Sequence, residues 1–288
     1  MKQFLFAYIK SMRLYYAFIT GITGWVGVAF YHFLEPRRAS LPRSAIILVL
    51  LFLSWGVNQI INDYLGLAED RINAPHRPLV TGELAVRPAL LLTGALLLAT
   101  VVVSYCLNPW AALAAALGIA LNVLYEYAKA WSIFGNLVFG LMIAMCAVFG
   151  FFACGPAPAE LITSNRLCGL AIIVVANGLM TFFTYFKDYQ GDRLAGKRTF
   201  IARYGLRIGR IAGLVGTVLL FLLLVLFIVA GWIPSADILF PAALSFAASS
   251  QLSSSSGTSI CSSATPRAAR PISTSSTISG PASPQKSL

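Results

Sequence analysis

The sequence predicts an all-α fold, a polytopic membrane bundle of about eight helical spans. Three observations carry this. Apolar residues make up 58% of the 288 residues and charged residues only 11%, against about a quarter charged in an ordinary soluble domain. Mean hydropathy is +0.79. The apolar residues also gather into runs, and about 20 such residues at about 1.5 Å rise each cross about 30 Å of hydrocarbon. A water-soluble globule of this size needs a charged surface, and a disordered chain is poor in apolar residues, so both classes are excluded.

In chain order the runs lie at 12–34, 44–65, 88–107, 109–127, 132–154, 167–187, 208–231 and 234–248, each bounded by charges, Pro or Gly. The first is long enough to span and no small-residue cleavage site follows it, so no cleavable signal peptide is expected. Pro109 and Pro234 open their runs, where a missing backbone N–H costs least. The eighth run is short. Beyond it the composition changes: 15 of the 40 residues at 249–288 are Ser. Such a segment buries too little apolar surface to offset its ordering entropy. The expected division is therefore a membrane domain at 1–248 and a Ser-rich disordered tail at 249–288, either genuine or out of frame with a last helix lost.

Lys and Arg fix the orientation. With eight spans, the side holding the N-terminus and the loops after spans two, four and six carries 14 of them, the other side 4. Positive loops stay in the cytoplasm, so that side is expected to be cytoplasmic, in the cell (inner) membrane. The net charge of +11 is thus a matter of topology and phosphate chemistry and points to no nucleic acid. Cys106, Cys146, Cys154, Cys168 and Cys261 show no CxxC spacing, and the first four read as small buried hydrophobes. Seven of the ten acidic residues fall on the cytoplasmic side: Asp63, Glu69, Asp70, Glu83, Glu126, Asp188 and Asp192. A positive-inside bias gives no reason for acids to gather there.

Three constellations account for them. The first runs from Asn58 through Asn62, Asp63, Gly66, Glu69 and Asp70 to Arg77 and Pro78. On one helix Asp63 and Asp70 stand only about 20° apart, with Asn58 and Asn62 on a neighbouring stripe. Amide and carboxylate groups at a membrane are costly enough to mark a functional site. The second is Lys187-Asp188-Tyr-Gln-Gly-Asp192, followed by Lys197 and Arg198. Asp188 and Asp192 are one turn apart and repel unless a cation lies between them. Mg²⁺ suits them, since it takes one or two carboxylates and completes its shell with water and phosphate oxygens. The third is Tyr125 and Lys129, again one turn apart, followed by Gly135-Asn136; Lys129 offers a point charge to a phosphate. A Walker A sequence, a dinucleotide-binding glycine motif, zinc-type Cys/His spacing and a GxSxG elbow are all missing.

With these residues in view, the sequence resembles the UbiA superfamily of intramembrane prenyltransferases. The likeness lies in the run Asn62 to Gly82, the run Asp188 to Thr199, and Tyr125 with Lys129, and it covers about residues 10–245. It implies a nine-helix bundle with a central cavity, Mg²⁺ as cofactor, and transfer from a polyprenyl diphosphate donor to an acceptor drawn from an aromatic quinone precursor, a chlorin or a glycerol phosphate lipid. It implies Asp63, Asp70, Asp188, Asp192 and Lys129 as catalytic residues. Asn62, Asp63, Asp70, Asp188 and Asp192 would be the metal group, and Asn58, Asn62, Arg77, Tyr125, Lys187, Lys197 and Arg198 the substrate-binding group. Membrane lipid is the surroundings, and no protein partner is indicated. Phe182, Phe183, Tyr185 and Phe186 are candidate shelters for an allylic cation. The chain departs from the family at Gly66, where the first motif normally has its middle Asp, and in the ninth helix. Asp63 and Asp70 then hold the metal in a variant site, or the site is degraded. A catalytically impaired member and a lipid-binding or transport protein are the alternatives.

Overall fold

The computed structural model describes residues 2–32 and 39–232. The eighth run at 234–248 and the Ser-rich tail at 249–288 lie outside the described residues. The helices are α1 (Lys2–Met12), α2 (Phe18–His32), α3 (Leu41–Leu65), α4 (Leu67–Asn73), α5 (Pro78–Thr81), α6 (Val86–Leu107), α7 (Pro109–Ala128), α8 (Phe134–Ala153), α9 (Pro158–Leu161), α10 (Ser164–Leu194) and α11 (Phe200–Val229). Among the described residues the only β feature is one isolated bridge between Ser132 and Thr199.

Six helices, α3, α6, α7, α8, α10 and α11, are long and apolar enough to cross a membrane, with a seventh if α1 and α2 count as one bent span. The described structure thus accounts for the first seven runs. The first differs from expectation. Where the sequence suggests one span over 12–34, the chain bends by 56° through a 3-10 turn, Leu14–Tyr16, that follows a left-handed Arg13 (φ 47°). On the near side of the bend, the Arg13 guanidinium turns inward to the buried carboxylate of Asp63 on α3. Other boundaries follow from their sequence. Asn108 caps α7, its side chain accepting from the Trp110 N–H at 3.0 Å, with Pro109 at the first helical position. Gly205 (φ 83°, ψ 167°) breaks α11 near its start.

The bundle closes around α8, the most buried of the spanning helices. Glycines let its backbone touch its neighbours. A Cβ at Gly27 of α2 would stand 1.8 Å from the Ala147 carbonyl oxygen, and one at Gly150 of α8 would stand 2.1 Å from that of Gly24. Small residues of this kind give membrane helices their close contacts, because lipid supplies no hydrophobic drive between them. The outer faces of α6 and α11 expose Leu98, Val102, Leu219, Leu222 and Leu226, the surface a bilayer requires.

Candidate functional site

The first constellation does not stay on one helix. α3 ends at Leu65, Gly66 joins it to α4, and the Gly66 N–H still donates to the Asn62 carbonyl at 2.8 Å. The break takes Asp70 off the helical stripe expected from Asp63, yet a third residue reunites the two. After α4 the loop turns at Ala74–Arg77, and the Arg77 guanidinium returns to donate to Asp63 Oδ1 at 3.2 Å and to pair with Asp70. Asp63 and Asp70 are 1% and 7% exposed, and Arg13 completes the cluster on Asp63. Burial pushes the Asp70 carboxyl above its ordinary range, while Arg77 and, further off, Arg13 and Lys129 pull it back. Burial works against charge on Arg77 too, but Asp63, Asp70 and Asp188 outweigh it and raise its pKa.

The second constellation is shaped by how α10 stops. The Lys197 N–H donates to the Asp192 carbonyl (2.8 Å) and the Gly196 N–H to that of Arg193 (3.3 Å), with Gly196 left-handed at φ 72°. This is a Schellman ending, and it uses the glycine for the conformation glycine adopts freely. The turn folds Thr199 back so that its hydroxyl donates to Asp192 Oδ2 at 3.2 Å. Asp192 is buried and Asp188 half-buried, whereas Lys187 and Arg198 are exposed. Neither Asp188 nor Asp192 has an ion-pair partner among the described residues.

The two constellations meet at one end of the bundle. A Cβ at Gly191 would lie 1.8 Å from the Asn73 side-chain oxygen, so α10 and α4 touch there because residue 191 is Gly. Lys197 pairs with Glu69. The third element joins from α7. Lys129 Nζ donates to Glu126 Oε1 at 2.6 Å and sits 4.6 Å above the Tyr125 ring. Burial acts to lower the Lys129 pKa, but Glu126, Tyr125 and Asp70 outweigh it and the ammonium is held above its ordinary value. The Tyr125 hydroxyl lies 3.2 Å from Thr181 and 3.4 Å from the Tyr185 hydroxyl of α10. Gly135 lets the α7–α8 turn press on the Lys129 backbone, where a Cβ would come within 2.9 Å.

From this end a cavity runs into the bundle between α3, α6, α7 and α8. Asn58, Gln59, Asn62 and Asn122 make its polar end; Leu51, Ala114, Gly118, Met142, Ile143 and Phe149 line the body. Asn62 Nδ2 donates to Asn122 Oδ1 at 3.1 Å, and Asn58 Nδ2 to the Ser54 carbonyl at 2.9 Å. The expected aromatic shelter is elsewhere. Phe182, Phe183 and Phe186 pack among themselves and against Gly209 and Gly213 of α11 and do not line the cavity; its aromatics are Trp55, Phe139 and Phe149. Phenylalanines on an apolar span serve helix packing as readily as a cavity, and sequence does not separate the two.

The residues suit a hard cation. Among the described residues no three acidic, His or Cys side chains converge into a ready cage, but Mg²⁺ shared with phosphate needs only one or two carboxylates. Four buried oxygens at this end have no hydrogen-bond partner, Asn58 Oδ1, Asn62 Oδ1, Glu126 Oε2 and Asn136 Oδ1, all of them donors of the type Mg²⁺ prefers. Sequence reasoning left out Arg13, Asn122 and Glu126. Asn122 carried a signal, a lone amide deep in the apolar α7 run. Arg13 entered only as a topology charge, and Glu126 only among the acids gathered on one side.

The chain is similar to known proteins over most of its length. The model of the UbiA prenyltransferase family matches residues 11–265. Digeranylgeranylglyceryl phosphate synthase of Thermococcus sibiricus is 32% identical over 206 residues, 69% of this chain and 68% of that protein. The bacteriochlorophyll synthase 34 kDa chain of Chloroflexus aurantiacus is 29% identical over 155 residues, 52% of this chain and 48% of that one. The structure of a UbiA homolog from Archaeoglobus fulgidus bound to GPP and Mg²⁺ superposes with a TM-score of 0.67 at 17% identity, covering 88% of this chain and 86% of that one.

Proposed function

The chain belongs to the UbiA prenyltransferase family, and from that premise we propose that it transfers a prenyl group from a prenyl diphosphate, with Mg²⁺, to a hydroxyl of a glyceryl phosphate lipid in the membrane. The observation that carries this is the meeting of two acidic motifs, distant in sequence, at one end of the bundle, where Asn58 and Asn62 of the first constellation also line the polar end of an apolar cavity. A prenyl diphosphate has that same division, an apolar chain and a polyanionic head.

The prenyl chain lies in the cavity along Leu51, Met142 and Ile143, and the diphosphate stays among Lys129, Arg77, Asp188 and Asp192. When bound, Mg²⁺ supplies charge neutralisation for the departing diphosphate. Lys129 adds a fixed cation at the same place, pre-oriented by Glu126 and the Tyr125 ring, so it needs little reorganisation as charge develops. The allylic C–O bond breaks with both electrons going to diphosphate. Trp55 and Phe139 offer ring faces to the carbon left behind. The acceptor oxygen then bonds to that carbon, and its proton passes to a carboxylate at the mouth or to water. Asn58, Asn62, Asp63, Asp70, Tyr125, Lys187, Lys197 and Arg198 complete the assigned site. Asp63 and Asp70 act from within the Arg13–Arg77 cluster, and Lys187 and Arg198 act from the exposed rim. The catalytic unit is assigned to residues 1–248, with no catalytic part for 249–288.

Among the acceptors the sequence left open, the similarity to digeranylgeranylglyceryl phosphate synthases favours the glyceryl phosphate lipid. The test is product analysis with purified protein in vesicles, given geranylgeranyl diphosphate and, separately, a monoprenylated glyceryl phosphate, an aromatic quinone precursor or a chlorophyllide. An ether product from the first acceptor supports the proposal; product only from the second or third moves it to that acceptor. The motif end is assigned to the cytoplasm of a cell membrane, from the 14-to-4 distribution of Lys and Arg. An Arg193→Cys variant should react with an impermeant thiol reagent in inverted vesicles and not in intact cells. Labelling in intact cells would reverse the orientation.

A further inference from the structure

Gly66 leaves a gap in the first motif, and another helix reaches into it. A Cβ at Gly66 would lie 3.7 Å from Glu126 Oε2 on α7. One turn deeper on the same two helices, Asn62 donates to Asn122 at 3.1 Å. Positions 62 and 66 of α3 thus face positions 122 and 126 of α7, amide against amide and glycine against glutamate. Glu126 is only 7% exposed. Its Oε1 takes the Lys129 ammonium at 2.6 Å, and its Oε2 is buried without a partner. Leaving a buried carboxylate oxygen unsatisfied costs free energy unless a ligand fills the place. The charges nearby give the same direction. Arg13 and Arg77 already balance Asp63 and Asp70, so those two carboxylates offer an arriving cation little net attraction. Glu126 has a free oxygen.

We propose that Glu126 supplies, from α7 across the break at Gly66, a metal-binding carboxylate for the first motif, doing from the side what a carboxylate at position 66 would do in line. This deepens the function proposed above and rests on it. It also gives Gly66 a part: with no side chain there, Glu126 Oε2 faces the end of α3 at 3.7 Å from where a Cβ would stand.

The experiment uses the full-length protein in detergent, with Mn²⁺ in place of Mg²⁺ and inorganic pyrophosphate in place of the donor head, and reads binding by electron paramagnetic resonance. Glu126→Gln keeps the shape and removes the charge. Loss of a direct ligand should weaken Mn²⁺ binding by at least the roughly 10- to 100-fold typical of an outer-shell partner. The backbone at residue 66 (φ −95°) lies outside the left-handed region, and a Cβ there meets the Asn62 carbonyl oxygen at 3.0 Å, which must give by a few tenths of an ångström; with that shift, Gly66→Asp in the Glu126→Gln background should recover most of the lost affinity. In the wild-type background, where Glu126 already serves, the same change should alter affinity far less than it does in the Glu126→Gln background. Such non-additivity between backgrounds is the mark of one shared role, and a merely structural Glu126 would not produce it. Helical circular dichroism and a single gel-filtration peak establish that each variant is folded; if Glu126→Gln is not, Glu126→Asp, which keeps the charge on a shorter arm, takes its place and should bind with intermediate affinity. Wild-type Mn²⁺ affinity in Glu126→Gln, or no recovery in the double variant, overturns the assignment of Glu126 and leaves the site standing. No Mn²⁺ binding by the wild type in the presence of pyrophosphate overturns the site and this assignment together.

Discussion

The two acidic motifs stand side by side but are built on opposite electrostatic plans. In the first, the carboxylates are already matched: Asp63 with Arg13 and Arg77, Asp70 with Arg77, Glu69 with Lys197. In the second, Asp192 accepts from a neutral threonine hydroxyl, and Asp188 has no ion pair among the described residues. The first motif is a balanced, buried scaffold, and the second carries the uncompensated negative charge. The difference teaches where a cation gains most on arriving. It gains least where arginines already hold the carboxylates and most at Asp188 and Asp192; Glu126 lies between, its Oε1 on Lys129 and its Oε2 unpartnered.

The largest expected effect lies in the second motif. Asp192→Asn should lower prenyl transfer by two or more orders of magnitude, about 3 kcal/mol or more of transition-state stabilisation, with the protein still inserted and folded. Transfer at the wild-type rate by this variant would erase the distinction between the motifs. Next comes the scaffold. Arg77→Met strands Asp70 in a buried place and leaves Asp63 to Arg13 alone, and breaking a buried pair costs about 3–5 kcal/mol. Thermal unfolding in detergent should show a large loss of stability here and a small one in Asp188→Asn. Equal losses would mean that the first motif is no more structural than the second. The seam between the motifs gives a smaller, sharper effect. Gly191→Ala drives a methyl against the Asn73 side chain, an overpacking cost of about 1–3 kcal/mol, and Asn73→Ala in the same chain should recover most of it. A shortfall that Asn73→Ala does not relieve would place the contact elsewhere. The smallest effect belongs to the rim. Lys187→Gln and Arg198→Gln remove exposed charges, worth about 0–1 kcal/mol, so turnover should change by less than about fivefold and stability hardly at all. A collapse of activity in either would move the phosphate-binding cations outward from Lys129 and Arg77.

Sequence patterning carried the fold a long way, because membrane spans are set by local composition. Seven runs became helices, with ends within a few residues at 44–65, 88–107 and 109–127. What it could not carry was set by distant charge. Nothing local to Arg13 says that it turns inward, beside the bend in the first run, to a carboxylate fifty residues away. The site divides in the same way. Asp188 and Asp192 stand one turn apart on α10, as their spacing gives; the turn at Gly196 that returns Thr199 to Asp192 is local too. The break at Gly66, which takes Asp70 off the stripe of one continuous helix, was not legible from the spacing. That Arg77 folds back to hold both aspartates, and that Glu126 faces the gap at Gly66, depends on how α4 and α7 approach α3, which periodicity does not encode. The four expected aromatics divide for a related reason: Phe182, Phe183 and Phe186 lie on the face of α10 that packs against α11, while Tyr185 reaches the Tyr125 hydroxyl.

The account turns on a metal-assisted ionisation at the meeting of the two motifs. Its most direct test is diphosphate release from geranylgeranyl diphosphate in the presence of acceptor, measured on the purified full-length protein with Mg²⁺ and again with EDTA. The account predicts release with Mg²⁺, coupled one-to-one to prenylated product, and its abolition by EDTA with recovery on adding Mg²⁺ back. Binding of the donor with no diphosphate release in Mg²⁺, or release that EDTA leaves unchanged, would contradict it.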